Sequence, residues 1–503
     1  MVFRGFGYGV DGSAASVSKA PVSGLAAQLD ALVECYCEGM CILCSWWSEL
    51  LWSKAICSIL AYSGCERKGK RKTKEAFNFN TLDSSEGCEG KIYGLLQMRE
   101  QMLKLLDQKR KAVVDEDGKG LHLIHLLLIS ASSIDENNLE LAVENLSELY
   151  QNVSLNGDSV QRVAAHFADG LVARLLTRKS PFYDMIMKEP TPEEEFMAFT
   201  ELYRVSPCFQ FAHFTANQAI IEAFEKDEDN NNSSLHVIDF HVSYGFQWPS
   251  LIQSLSKKAT GANRISLRMT GFGRSYEELQ ETEARLLSFA KGFRNLVFEF
   301  QGLSRGSKLI NLRKRKNETV VVNLVFHLNT LNSFMEISET LRSVHSLKPS
   351  IVVLVEEEGS RTPRSFLSRF MESLHYFAAM FDSLDDCLPL DSSERLSIEK
   401  NHLGKEIKKV MNYEKDDTNC PRYEKMETWK GRMDGHGFAG LKLSSKSMIQ
   451  AKLLLKIRTH YSPIQLEGEI HGGFRVFDRD DERAISLGWL DTCLITASAW
   501  QCV

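Results

Sequence analysis

Carboxylates at strand ends, clustered thiols and runs of basic residues are the groups in this chain that could do chemistry. Asp239 closes the short apolar stretch LHVID (235–239), and Glu356, Glu357 and Glu358 close another, IVVLVEEE (351–358). Such carboxylates can line a polar ligand pocket. The commoner use is to cap nearby backbone donors or to pair with arginine, here Arg361 or Arg364, and that use is favoured. Cys35, Cys37, Cys41 and Cys44 lie close enough to suggest thiolate ligation. Their spacing is irregular and no histidine precedes His122, so no metal site is assigned.

A nucleotide or S-adenosylmethionine site needs glycines after the first strand, so that backbone can approach the ligand. The loop His241–Gln247 offers only Gly245, flanked by Tyr244 and Phe246. Gly271 and Gly273 form a lone G-x-G after a later strand, a pattern of low specificity. No P-loop, H-E-x-x-H or nucleophile elbow is present. No cofactor and no catalytic residue is therefore expected. A small-molecule-binding or methyl-transferring α/β enzyme is kept as an alternative.

Two basic runs stand out. RKGKRKTK contributes Arg67, Lys68, Lys70, Arg71, Lys72 and Lys74, the pattern of a nuclear import signal. Arg313, Lys314, Arg315 and Lys316 follow Arg305 and Lys308. They read as a solvated loop, with phosphate contact or a share in import as the alternatives. The net charge of −6 gives no global pull toward nucleic acid. No zinc finger, basic zipper or helix-turn-helix signature accompanies the runs. Direct DNA contact therefore stays an open alternative.

These residues must be held by a large fold. The 503 residues are 43% hydrophobic and 25% charged, which are globular values. Seven of the 12 cysteines precede residue 90 and the rest are scattered, as in a reduced intracellular protein. The most apolar early stretch, Met40–Ser63, carries Glu49 and Lys54 near its middle, so neither a membrane span nor a secretory signal is expected.

Residues 1–117 read as a variable, largely disordered N-terminal region with one helix candidate at Ile92–Val114. Gly118 and Gly120 mark the boundary to a domain at 118–503. Residues 121–230 carry apolar residues at helical spacing, as in Leu139, Ala142, Leu146 and Leu149. Leu123, Leu126 and Leu127 form an L-x-x-L-L pattern, but their neighbours are apolar too, so core packing is favoured over groove docking. Thr215 reads as a helix cap. From Leu235 the pattern alternates. Strands are expected at Leu235–Phe240, Arg264–Thr270, Leu296–Phe300, Thr319–Phe326 and Ser350–Val355, with helices between them. That predicts an α/β fold with a mostly parallel sheet. Phe474–Asp478, Ala484–Leu487 and Leu494–Ala499 read as antiparallel edge strands.

HVIDF followed by GFQWPSL, with His236, Val237, Ile238 and Asp239, resembles the VHIID block of the GRAS family, plant-specific transcriptional regulators that include scarecrow-like and DELLA proteins. The resemblance extends over 121–503. Leu121–Leu176 is similar to the first leucine-rich region and Glu278–Phe300 to the second. Leu347–Asp385 resembles the PFYRE block. Trp429–Trp500 resembles the SAW block, ending in Ser498, Ala499 and Trp500. No DELLA-type motif precedes the domain, so the chain looks scarecrow-like and is similar to the arbuscule-development branch.

The resemblance implies a Rossmann-like core, mainly 235–503, under a helical cap, mainly 121–230. It also implies a nuclear co-regulator that pairs with itself or with other GRAS proteins and works through DNA-binding transcription factors. The helix at Arg369–Asp385, with Met371, His375 and Met380 outside its main apolar face, or the segment Ser392–Val410, is the expected pairing surface.

Overall fold

The computed structural model describes residues 88–106, 119–227, 229–307, 312, 315–331, 333–360, 365–416, 423–458 and 473–503. The chain enters this body through helix α1 (Cys88–Leu106), which buries Leu95, Leu96 and Met102 in the main core. Arg99 on α1 forks onto Asp169 with two 2.8 Å hydrogen bonds. The boundary expected at Gly118 therefore does not mark the start of packing, because α1 contributes to the core from the N-terminal side.

The helical layer continues with α2 (Lys119–Asp135), α3 (Leu139–Asn152), α4 (Ser159–Leu175), the short α5 (Pro181–Ile186), α6 (Pro192–Val205) and α7 (Pro207–Lys226). Its starts are set by local chemistry. Thr191 and Glu194 form a reciprocal capping box on α6, and Pro181, Pro192 and Pro207 occupy first turns, where no donor is needed. The cap of α7 is Ser206, whose Oγ accepts the Cys208 N–H at 3.4 Å. Thr215, expected to cap a helix, is buried in the middle of α7. The apolar run of Phe209, Phe211 and Ala212 carries the helix past it.

The sheet begins with β1 (Ser234–Asp239). Then come α8 (Trp248–Lys258), β2 (Ile265–Gly273), α9 (Tyr276–Ala290), β3 (Leu296–Ser304), β4 (Thr319–Val325), α10 (Phe334–Ser346) and β5 (Ile351–Glu357). These five strands are parallel. β4 is buried along its whole length, as expected for a strand covered on both faces. Side chains alternate between two cores. Leu235 and Val237 face the helical layer, and Ile238 faces α10.

The chain then forms α11 (Phe366–Asp385), α12 (Ser393–Ile398), a π turn at Glu399–Leu403 and α13 (Gly404–Asp416). α11 and α13 both pack on α4. The helical layer is thus completed from the C-terminal half, beyond the expected 121–230. After α14 (Met426–Gly435), β6 (Phe438–Leu441) and α15 (Ser445–Arg458) come β7 (Phe474–Arg479), β8 (Ala484–Trp489) and β9 (Thr492–Cys502). The described strands form one sheet in the order β3-β2-β1-β4-β5-β9-β8-β7, with β6 also on β9. The fold is α/β with a largely parallel core. β9 was expected at an edge and is internal instead, antiparallel to β5 on one side and to β8 and β6 on the other.

Candidate functional site

Strand order reverses at β1, with β2 on one side and β4 on the other. In an open α/β sheet the crevice at this switch point is where a ligand binds. Here Asp239, the last residue of β1, meets three donors. Asn323 Nδ2 and the His241 backbone N–H reach Oδ1 at 3.0 and 3.1 Å, and Trp248 Nε1 reaches Oδ2 at 3.1 Å. Burial pushes the Asp239 carboxyl up to about 6, opposed by these hydrogen bonds. Asn323, on β4, pairs its amide reciprocally with Gln247 at 3.0 and 3.1 Å. Gln247 also donates to Asn217 Oδ1 on α7 at 3.1 Å, and Asn217 returns a bond to the Gln247 carbonyl at 2.9 Å. The polar atoms that would greet a ligand are spent on one another.

The glycines are spent too. A Cβ on Gly245 would lie 2.8 Å from Thr282 Cγ2, and one on Gly273 would lie 2.7 Å from Leu279 Cγ. A Cβ on Gly271 would stand 3.1 Å from Phe300 and Val242. Close backbone approach here serves internal packing. The His241–Gln247 loop is roofed by α6, with Phe199 and Tyr203 against Phe246 at 5.3 and 4.9 Å between ring centres. Among the described residues, no group of three or more His, Cys, Asp or Glu is placed to hold a metal.

The remaining motif residues occupy the core. His236 is fully buried, with Nε2 2.9 Å from Thr270 Oγ1 and Nδ1 3.6 Å from Glu318. Glu356 accepts the backbone N–H groups of Leu328 and Asn329 at 2.7 and 3.4 Å, and burial holds it well above the usual carboxylate range. Glu358 accepts the Met426 N–H at 3.1 Å. Capping is therefore the observed use, while Arg361 and Arg364 lie outside the described residues. Leu123, Leu126 and Leu127 are buried. On β9, Trp500 Nε1 donates to Ser498 Oγ at 2.9 Å, and Ser498, Ala499 and Trp500 are all buried.

The basic runs are placed only in part. Arg67 to Lys74, Arg313 and Lys314 lie outside the described residues, as do Cys35, Cys37, Cys41 and Cys44. Arg315 pairs with Glu299 at 2.7 Å and Lys316 is exposed. On α11, Met380 is buried, while Met371 and His375 are exposed.

One cluster escaped the sequence reading. Arg162 on α4 is fully buried and donates to Glu399 at 2.9 Å and to Asp385. Glu399, in the π turn, also accepts from buried Arg395 at 2.8 Å. No sequence signal joins residues this far apart. A polar residue interrupting an apolar strand, as Asn323 does in TVVVNLV, was a signal that could have been used.

Comparison with known proteins fits this architecture. The GRAS domain family matches residues 123–501. The chain is 36% identical to Protein SCARECROW of Arabidopsis thaliana over 394 residues, 76% of this chain and 56% of that protein. It is 33% identical to DELLA protein 2 of Medicago truncatula over 77% of this chain and 69% of the relative. The chain thus spans little more than half the length of the SCARECROW protein. The crystal structure of SCL7 from Oryza sativa superposes with a TM-score of 0.61 at 27% identity, covering 75% of this chain and 99% of that one. A parallel core closed at its switch point, a helical layer, and a terminal SAW strand buried against β5 accompany these matches, and the chain belongs to the GRAS family.

Proposed function

We propose that this protein is a nuclear transcriptional co-regulator of plant development or root symbiosis signalling, acting as a protein-interaction platform. The observation that carries the reading is the filled crevice. Asp239, Asn323, Gln247 and Asn217 satisfy one another where a cofactor would sit, which supports a scaffold over an enzyme. Its partners are DNA-binding transcription factors and other GRAS proteins, and it pairs as a homo- or heterodimer. Met371 and His375 on α11 are the exposed residues of the segment proposed for pairing. Arg67, Lys68, Lys70, Arg71, Lys72 and Lys74 carry nuclear import.

Proximity labelling with the full chain in root nuclei tests the reading. Enrichment of transcription factors and GRAS proteins is expected. A labelled set without them would overturn it. Alanine at the six basic positions should lower nuclear accumulation of a fluorescent fusion. Unchanged accumulation, even with Arg313 to Lys316 also replaced, would remove both runs from the account.

A further inference from the structure

The parallel sheet ends on β3, whose outer edge is open among the described residues. Its register with β2 is unbroken from Leu296 to Ser304. At the two ends the Ile265 N–H donates to the Asn295 carbonyl at 3.2 Å and the Arg305 N–H to the Gly273 carbonyl at 3.1 Å. In a parallel ladder alternate residues of a strand serve opposite neighbours. Odd-numbered residues of β3 therefore serve β2, and even-numbered ones turn their backbone groups outward. Among the described residues nothing accepts from the N–H groups of Phe298, Phe300, Gly302 and Ser304. Nothing donates to the carbonyls of Leu296, Phe298, Phe300 and Gly302.

Natural sheets blunt such edges with short strands, proline, bulges or charge. The opposite edge obeys this rule. β7 has six residues, among them Arg475, Asp478 and Arg479. β3 has nine residues, no proline and no register shift. Its charged residue, Glu299, is spent on Arg315 at 2.7 Å. Apolar side chains flank the open groups. Phe298 and Phe300 lie on the face covered by α9, and Val297 and Leu303 on the other, all partly exposed.

Charge decides the occupant. Arg264, Lys291 and Arg294 are exposed at the start of the edge, where Arg264 Nη2 donates to the Arg294 carbonyl at 3.2 Å, and Arg305 is exposed at its end. Among the described residues none of them is paired with a carboxylate. Of the acidic residues on α9, Glu278 and Glu281 are engaged by Arg274 and Arg285 at 3.3 and 3.6 Å. A second copy, paired antiparallel about Phe300, would set Arg305 of one chain beside Arg294 of the other at each end. Like charges so placed destabilise a strand pair, which disfavours self-pairing.

We infer that β3 is a docking edge for an extended segment of a partner protein, apolar in its middle and acidic at both ends, which adds to the sheet as a further strand. Main-chain bonds to Phe298, Phe300 and Gly302 supply affinity, and the apolar flanks and basic ends supply selectivity. The inference deepens the interaction-platform reading and rests on it, by naming one surface and the chemistry of what it holds.

The test is fluorescence anisotropy of the full chain with a labelled peptide, Asp-Asp-Thr-Val-Thr-Val-Thr-Val-Thr-Val-Asp-Asp. Saturable binding is expected. Lysine in place of the terminal aspartates should weaken it about tenfold or more. N-methylation of the middle amides, which removes ladder donors at unchanged charge, should abolish it. Arg294→Glu with Arg305→Glu should reverse the preference between the two charged peptides, and Arg475→Glu on the opposite edge should bind as the parent does. Hydrogen exchange should show β3 protected when the acidic peptide is added, a readout that needs no variant. Absent binding, equal binding of the N-methylated or lysine-ended peptide, or protection confined to other strands would overturn the docking edge. Protection of β3 in the free chain with a dimer mass would put a second copy there and overturn the partner assignment. Transcription factors found by proximity labelling while the peptide fails would strike this edge and leave the co-regulator reading standing.

Discussion

The indole N–H of Trp248 and the carboxyl of Asp239 meet at 3.1 Å, at the point where strand order reverses. Trp248 opens α8 and is fully buried, so the bond ties the first strand to the helix that follows it. Where a cofactor-dependent relative of this topology would keep the crevice open, the indole and three amides keep it shut.

This burial gives Asp239 a pH signature. Its carboxyl titrates near 6 in the folded chain, against 3.8 for an unperturbed group. The folded state therefore holds the proton more tightly. The stabilisation is complete below about pH 4 and is lost as pH rises through about 6, with a magnitude of about 3 kcal/mol. Urea denaturation of the parent and of Asp239→Asn should show the parent losing stability relative to the variant between these limits. A gap independent of pH would mean that Asp239 stays ionised throughout.

The N-terminal limit of the domain can be measured by truncation. A chain starting at residue 88 should melt like the full protein, because α1 remains on the core. A chain starting at 118 loses Leu95, Leu96 and Met102 and strands Asp169 without Arg99. Asp169 keeps the Tyr150 hydroxyl at 2.8 Å, and losing the three buried apolar side chains should cost about 3 kcal/mol or more. Equal denaturation midpoints for the two truncations would show that α1 contributes nothing.

Glu399 joins Arg162 and Arg395, with both guanidinium groups fully buried. Glu399→Gln should cost about 3–5 kcal/mol, because buried Arg395 loses its carboxylate while Arg162 keeps only Asp385. Lys442→Ala removes an exposed pair with Glu482 and should change stability by less than about 1 kcal/mol. Chemical denaturation of the two variants side by side checks the contrast.

Trp500 is 3% exposed and packs in the second core with Trp429 and Phe438. Trp500→Ala should lose about 3–5 kcal/mol. Any loss of partner binding should track the fall in melting temperature. Lost binding at an unchanged melting temperature would make Trp500 a contact residue instead.

Period and composition made the parallel core legible. Five apolar, β-branched runs separated by helical spacing admit few other folds, and each was found within a few residues of its expected limits. The terminal strands were recognised, but not the position of β9. Its length and the burial of its middle, Leu494–Trp500, come from β5 on one flank and from β8 and β6 on the other, and β6 is only four residues long. Thr215 misled because a cap and a buried helical threonine share a residue type. The closure of the crevice was hidden for a different reason. Asn217, Gln247 and Asn323 sit on α7, a loop and β4, and only the folded chain brings their amides together. The Arg162 cluster is likewise assembled by tertiary packing, across more than two hundred residues.

Calorimetric titration of S-adenosylmethionine into the full chain tests the scaffold claim most directly. A core closed by Asp239, Trp248, Asn323 and Gln247 predicts no saturable heat, and none should appear with Asp239→Ala unless the crevice itself opens. Saturable binding to the parent chain, abolished by substitutions at Asp239 or Asn323, would contradict the account and return the fold to the enzymes.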